Sequence, residues 1–249
     1  MNFRKIISYP IFLFHMSIMM LLLIIFHIIQ VITYNIFGYN AHKKSVDMLN
    51  FFMTYNLFTV FCRPIFKGFD NLPTNRPLIV VSNHQSMYDI SPVVWGFRKH
   101  HVKFIAKAEL GRDRMPSIAY NLKKGGSVLI DRRNGSKSIK EILKLGRKME
   151  EKNWSACLFP EGSRSKDGKL RKFQPAGFKT LLKASPSAII VPFVIDGNYR
   201  IGKWENFPRN IGRKIYYTAL TPIERDNFTD EELLEKVKSA IQHKLDGNK

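Results

Sequence analysis

The sequence is poor in cysteine and in acid. Two cysteines occur in 249 residues, Cys62 and Cys157, and neither belongs to a Cys-x-x-Cys pair or a Cys/His cluster. That excludes a disulfide-framed secreted domain and argues against structural zinc. Acidic residues number 20 against 40 lysines and arginines, a formal net charge of +20. So basic a chain points to an anionic partner: nucleic acid, an anionic membrane or a phosphorylated substrate. Internal repeats and low-complexity tracts are absent, and 45% hydrophobic residues exclude disorder of the chain as a whole.

Charge is missing altogether from one long stretch. Between Lys5 and Lys43 there is no Asp, Glu, Lys or Arg, and residues 11–32 form a 22-residue apolar run. Such a run crosses a hydrocarbon core of roughly 30 Å at about 1.5 Å per residue. A secretory signal is the rival reading, but the run exceeds a typical hydrophobic region and no A-x-A-like cleavage site follows it. A second stretch, residues 46–66, mixes Asp47, Asn50, Asn56 and Arg63 with Phe, Leu, Met and Tyr. It fits a helix in the membrane interface, or a packing helix of the soluble part. The pair is expected to form a hairpin that enters one leaflet and returns. Residues 1–67 are therefore read as a membrane-anchoring helical segment. Basic residues flank the first run on both sides and give no orientation.

Over residues 68–249 the pattern changes to short apolar runs separated by helical stretches. Strands are predicted at 78–82, 102–106, 127–130, 156–159, 188–195 and 214–218. Helices are predicted near 88–97, 113–122, 136–152, 175–184 and 229–245, the last opened by a Thr229–Glu232 capping box. This alternation predicts an α/β domain with a mostly parallel sheet flanked by helices. Residues 98–214 carry 28 basic and 10 acidic residues, so nearly all the excess charge lies here.

Three constellations follow predicted strands. In Asn83-His84-Gln85-Ser86-Met87-Tyr88-Asp89, His84 falls at a strand's carboxyl end, where ligands bind in open α/β sheets. Asp89 is spaced to fold back on the imidazole, fix its tautomer and make the other nitrogen a better base. Two helix caps explain the same residues. In Phe159-Pro160-Glu161-Gly162-Ser163-Arg164-Ser165, Gly162 permits close backbone approach, Glu161 can accept from hydroxyls and Arg164 can hold a phosphate. A polar turn with a surface ion pair is its plainer reading. In Gly125-Gly126-Ser127-Val128-Leu129-Ile130-Asp131-Arg132, Arg132 follows a strand and faces either an anion or solvent.

Taken in order, NHQSMYD, GGSVLIDR, FPEGSRS and Ile190-Val191-Pro192-Phe193 resemble the signature blocks of the 1-acyl-sn-glycerol-3-phosphate acyltransferase family. The resemblance spans roughly residues 65–220, and the uncharged N-terminus is similar to the membrane-binding hairpin of bacterial members. It implies a glycerolipid-acyltransferase-type domain behind that hairpin. The implied reaction moves a fatty acyl group from acyl-CoA or acyl-ACP to the sn-2 hydroxyl of lysophosphatidic acid, giving phosphatidic acid. His84 is then the general base and Asp89 its partner, with no acyl-enzyme. Arg164, Arg132 and Lys107 are implied for the acceptor's phosphate, and Glu161 and Gly162 for its glycerol. Ser163 stands where many members have Thr and keeps the hydroxyl. No cofactor or metal is implied beyond the acyl-CoA or acyl-ACP co-substrate. The implied partners are membrane lipids rather than nucleic acid, and the domain is expected on the cytoplasmic face of a bacterial inner membrane.

Two other readings remain at this stage. One is a related acyltransferase acting on a different lysophospholipid or a lyso-aminolipid. The other is a basic, membrane-associated nucleic-acid- or lipid-binding protein without catalysis. No helix-turn-helix, RRM or KH pattern supports nucleic acid, and no G-x-S-x-G elbow supports a hydrolase.

Overall fold

The apolar runs become strands covered on both faces. The computed structural model describes residues 3–112, 115–131, 133–201, 211–226 and 228–247. Its sheet contains β1 (Arg63–Lys67), β2 (Leu78–Ser82), β3 (Val102–Lys107), β4 (Val128–Ile130), β5 (Ser155–Leu158), β6 (Ile189–Asp196) and β7 (Lys214–Ala219). Their spatial order is β1-β7-β6-β2-β5-β3-β4, and every neighbouring pair is parallel except β6 with β7. The central strand β2 is buried along its whole length. Its Leu78 and Val80 join one core layer, and Ile79 and Val81 the other, following the two-residue period of a strand.

Helices α4 (Gly135–Lys152), α5 (Pro175–Ala184) and α7 (Asp230–Asp246) cover one face. Their Leu145, Met149, Phe178, Leu181, Val237 and Ile241 are fully buried there. Pro175 opens α5, where its missing N–H has no partner to lose, and the Thr229–Glu232 capping box opens α7. The other face is covered by α2 (Ile90–Gly96), the N-terminal hairpin and the turn that follows it, through Val93, Phe12, Met19 and Leu57. Two short helices, α3 (Ile118–Lys124) and α6 (Asn198–Ile201), complete the α-helices among the described residues.

The hairpin is α1 (Phe3–Tyr55), folded at Gly38, where φ 74° and ψ −167° break the helix. A Cβ there would meet nothing within 4 Å, so backbone conformation rather than space calls for glycine. The arms lie antiparallel. Asn56 Nδ2 donates to the His15 carbonyl at 3.1 Å, the Phe26 and Phe52 rings are 5.9 Å apart, and the Thr33 and Ser45 hydroxyls are 3.3 Å apart. The outer face exposes Leu13, Phe14, Leu21, Ile28, Ile36 and Phe37. His15, inside the apolar run, is fully buried, and its Nε2 lies 3.1 Å from the Tyr88 hydroxyl. The hairpin is thereby joined to the first sequence constellation.

Residues 46–66 are not one helix. The second arm ends at Tyr55, a short 3-10 turn (Asn56–Val60) follows, and the chain then enters β1. Pro64 is tolerated in β1 because this edge strand pairs with β7 alone. The helix expected near 113–122 is α3, which starts later; Asp113 and Arg114 lie outside the described residues.

Candidate active site

Because β2, β3, β4, β5 and β6 run parallel, the segments after them leave the same edge of the sheet. At the end of β2 the Asn83 side chain continues the ladder, with Nδ2 donating to the Ile195 carbonyl at 2.8 Å and Oδ1 accepting from the Ile195 N–H at 2.9 Å. His84 then turns out of the sheet. Ser86 caps the next turn and Asp89, three residues on, closes a capping box. The capping turn is what folds the carboxylate back: His84 Nδ1 lies 2.7 Å from Asp89 Oδ2.

Asp89 is fully buried and has no Lys or Arg partner among the described residues. Hydrogen bonds take the place of a cation. Oδ2 also accepts from the N–H groups of Gln85 and Ser86 at 2.6 and 2.9 Å, and Oδ1 accepts from Asn198 Nδ2 at 2.6 Å. An ionised Asp89 makes His84 Nδ1 the protonated nitrogen and leaves Nε2 with its lone pair. Nε2 has no hydrogen-bond partner among the described residues. The imidazole stacks on Phe159, 4.1 Å between centroids and 19° from parallel, which fixes the ring plane.

Glu161 braces this arrangement from behind. Its Oε1 accepts from the His84 N–H at 2.7 Å and its Oε2 from the Arg171 N–H at 3.1 Å. Burial pushes the Glu161 carboxyl up from its ordinary value, against those two bonds, which pull it down. The Ser165 N–H donates to the His84 carbonyl at 2.7 Å, so two sequence constellations are bound together through backbone. Gly162 adopts φ 70°, the left-handed turn that lets the segment fold back. Ser163 Oγ accepts from Arg171 Nη1 at 2.6 Å.

Arg164 and His84 line one cavity of about 410 Å³. It runs between the hairpin and the sheet, with Met19, Leu49, Met53, Val94, Phe97 and Phe104 among its walls. Lys107 ends β3 on the same sheet edge, is exposed and does not line this cavity. Arg132 lies outside the described residues; its neighbour Asp131 follows β4 at that edge. Cys157 is fully buried in β5, and burial pushes its thiol up and keeps it unreactive.

A family profile described as "Acyltransferase" matches residues 63–196, just over half of the chain. The chain belongs to the acyltransferase family. That match starts at β1 and ends with β6, taking in the His84–Asp89 pair and the loop of Glu161 and Arg164. Among curated proteins, a 1-acyl-sn-glycerol-3-phosphate acyltransferase of Cocos nucifera is 31% identical over 160 residues, covering 64% of this chain and 50% of that protein. The protein of the same name from Borreliella burgdorferi is 24% identical over 207 residues, covering 82% and 80%. The chain spans half or less of the length of three plant relatives, 50%, 38% and 36%. The crystal structure of the 1-acyl-sn-glycerophosphate (LPA) acyltransferase PlsC from Thermotoga maritima shares the fold, with a TM-score of 0.78 at 21% identity, covering 98% of both chains.

Sequence reasoning missed Asn198 and Tyr217. Asn198 reaches Asp89 from 109 positions away, and an Asn after Gly197 at a strand end reads only as a turn. Glu161 was expected to meet substrate; both of its oxygens are engaged by backbone N–H groups.

Proposed function

We propose that this chain transfers a fatty acyl group from a CoA or acyl-carrier thioester to the sn-2 hydroxyl of 1-acyl-sn-glycerol-3-phosphate. The observation that carries the proposal is the His84–Asp89 pair at 2.7 Å opening on an apolar cavity that Arg164 also lines. The names of the curated relatives support the acceptor. An alcohol is a weak nucleophile near neutral pH, so its proton must leave as it attacks. His84 Nε2 takes that proton while the alkoxide oxygen adds to the thioester carbonyl. The tetrahedral intermediate collapses, the C–S bond breaks, and the imidazolium returns the proton to the departing thiolate. Buried Asp89 stabilises the imidazolium throughout, in the manner of a serine-hydrolase triad whose nucleophile is the substrate itself.

Arg164 receives the acceptor's phosphate in this reading, with Lys107, at the same sheet edge, and Arg132 supplying further positive charge. The apolar cavity receives an acyl chain. The exposed apolar face of the hairpin enters the cytoplasmic leaflet of a bacterial inner membrane and brings the cavity to its lipid substrates. The test is a panel: purified protein in phospholipid vesicles, labelled acyl-CoA or acyl-ACP, and several lysolipids, with products identified by mass spectrometry. Phosphatidic acid as the main product supports the reading. Acylation only of acceptors without a phosphomonoester contradicts it.

A further inference from the structure

The oxygens of Asp89 are not equally served. Oδ2 has three donors, whereas Oδ1 depends on Asn198 alone among the described residues. Asn198 is itself fully buried, and its Oδ1 accepts from the Tyr217 hydroxyl at 3.0 Å. Tyr217 is fully buried, and burial together with the Asp89 charge pushes its phenol well up, so it stays a donor. That donation settles which way the amide points. With the phenol on Oδ1, the NH₂ group faces Asp89; the reversed amide would set two acceptors against each other at 2.6 Å.

The loop carrying Asn198 is fixed from the catalytic side as well. Gln85 Oε1 accepts from the N–H groups of Gly197 and Tyr199 at 3.1 and 3.3 Å. Gly197, at φ 107°, lets the chain turn out of β6 at this point. Tyr217 is placed by sheet pairing, opposite Ile195, the residue whose backbone is bound by Asn83. The segments that follow β2 and β6 therefore meet on one buried carboxylate, with Tyr217 of β7 behind Asn198.

We propose that Asn198, held by Tyr217, is a positioning residue for the His84–Asp89 pair, keeping Asp89 ionised and turned so that Oδ2 faces the imidazole. The proposal rests on the reading of His84 as general base. Without the Asn198 donor, a buried carboxylate oxygen is stranded, the carboxyl gains a proton more readily, and His84 loses its anionic partner. The other ionisable groups around the pair are Glu161, Arg164 and Arg171 from the loop after β5, Cys157 of β5 and Tyr217 of β7. Asn198→Ala leaves all of them in place.

The experiment compares full-length wild type, Asn198→Ala and Tyr217→Phe by NMR titration of labelled histidine, with the His84 signal assigned from its loss in His84→Gln. In Asn198→Ala the His84 pKa is expected to fall by roughly half a pH unit or more. The kcat is expected to fall about ten- to a hundredfold, the range for losing one hydrogen bond to a buried ion. Both KM values should stay within about twofold, since no substrate contact is removed. Tyr217→Phe should move titration and kcat the same way by less, and it decides the question if Asn198→Ala does not fold. An unchanged or raised His84 pKa overturns the proposal, as does a KM change with kcat intact. Activity retained by His84→Ala would end the general-base reading but leave the titration result standing, so the two failures are separable.

Discussion

Lys103 is 5% exposed, with its ammonium 4.3 Å from the Trp154 ring centroid, 5.0 Å from that of Tyr39 and 2.6 Å from the Tyr39 hydroxyl. Burial and the nearby Lys43 and Lys152 lower its pKa to about 7, with Asp47 acting the other way. The aromatic faces offset part of the desolvation. Because the folded pKa is depressed, the unfolded chain binds the extra proton between about pH 7 and ~10.4. Stability from this group is therefore fully present above the upper value and lost as pH falls through about 7. Lys103→Met should raise stability at neutral pH by on the order of 1 kcal/mol and flatten its rise toward about pH 9.5, as followed by urea denaturation. A variant that is less stable at neutral pH, with the rise intact, contradicts this assignment. The residues also differ in how legible they were. His84 and Asp89 stand five positions apart within one capped turn, so their meeting is written locally. Asn198, Tyr217 and the aromatic surround of Lys103 come together only through sheet order, which no local pattern records.

At the scale of elements, the central strands were legible because burial on both faces demands uninterrupted apolar runs, as in β2 and β6. Helix α5 was legible at both ends, since Pro175 fixes its start and Ser185 to Pro186 follow its last turn. β1 was hidden inside an apolar stretch whose first part is helical, and its Pro64 speaks for a strand only at an edge. The hairpin was foreseen, but its hydrogen bonds to the His84 segment through His15 and Tyr88 were not. Its tip presents Ile36 and Phe37, each 68% exposed, beside Gly38. If the tip enters lipid, Ile36→Asp with Phe37→Asp removes two side chains each worth roughly 1.5–3 kcal/mol on burial. Sedimentation with anionic vesicles should then fall at least about tenfold while the far-UV circular dichroism is unchanged. Vesicle binding equal to wild type would place the membrane contact elsewhere on the molecule.

Across the whole molecule, a parallel sheet gathers its loops at one edge, and this chain sets an imidazole, a buried carboxylate and an arginine there beside an apolar cavity. The hairpin closes that cavity on one side and shows an apolar face on the other. Hairpin and site are thus parts of one packing arrangement, with Phe12 and Met19 in the same core layer as Val80 and Phe193. In the membrane-bound enzyme proposed above, the +20 charge would add to the apolar face, at about 1 kcal/mol for each basic residue near an anionic surface. The proposed reaction depends on His84 taking the acceptor's proton during acyl transfer. The most direct measurement is the rate of phosphatidic acid formation by full-length wild type and His84→Ala in the same vesicles with the same thioester. His84→Ala is expected to lose at least about a hundredfold in rate, with folding and vesicle binding retained. A His84→Ala rate within about tenfold of wild type would contradict it.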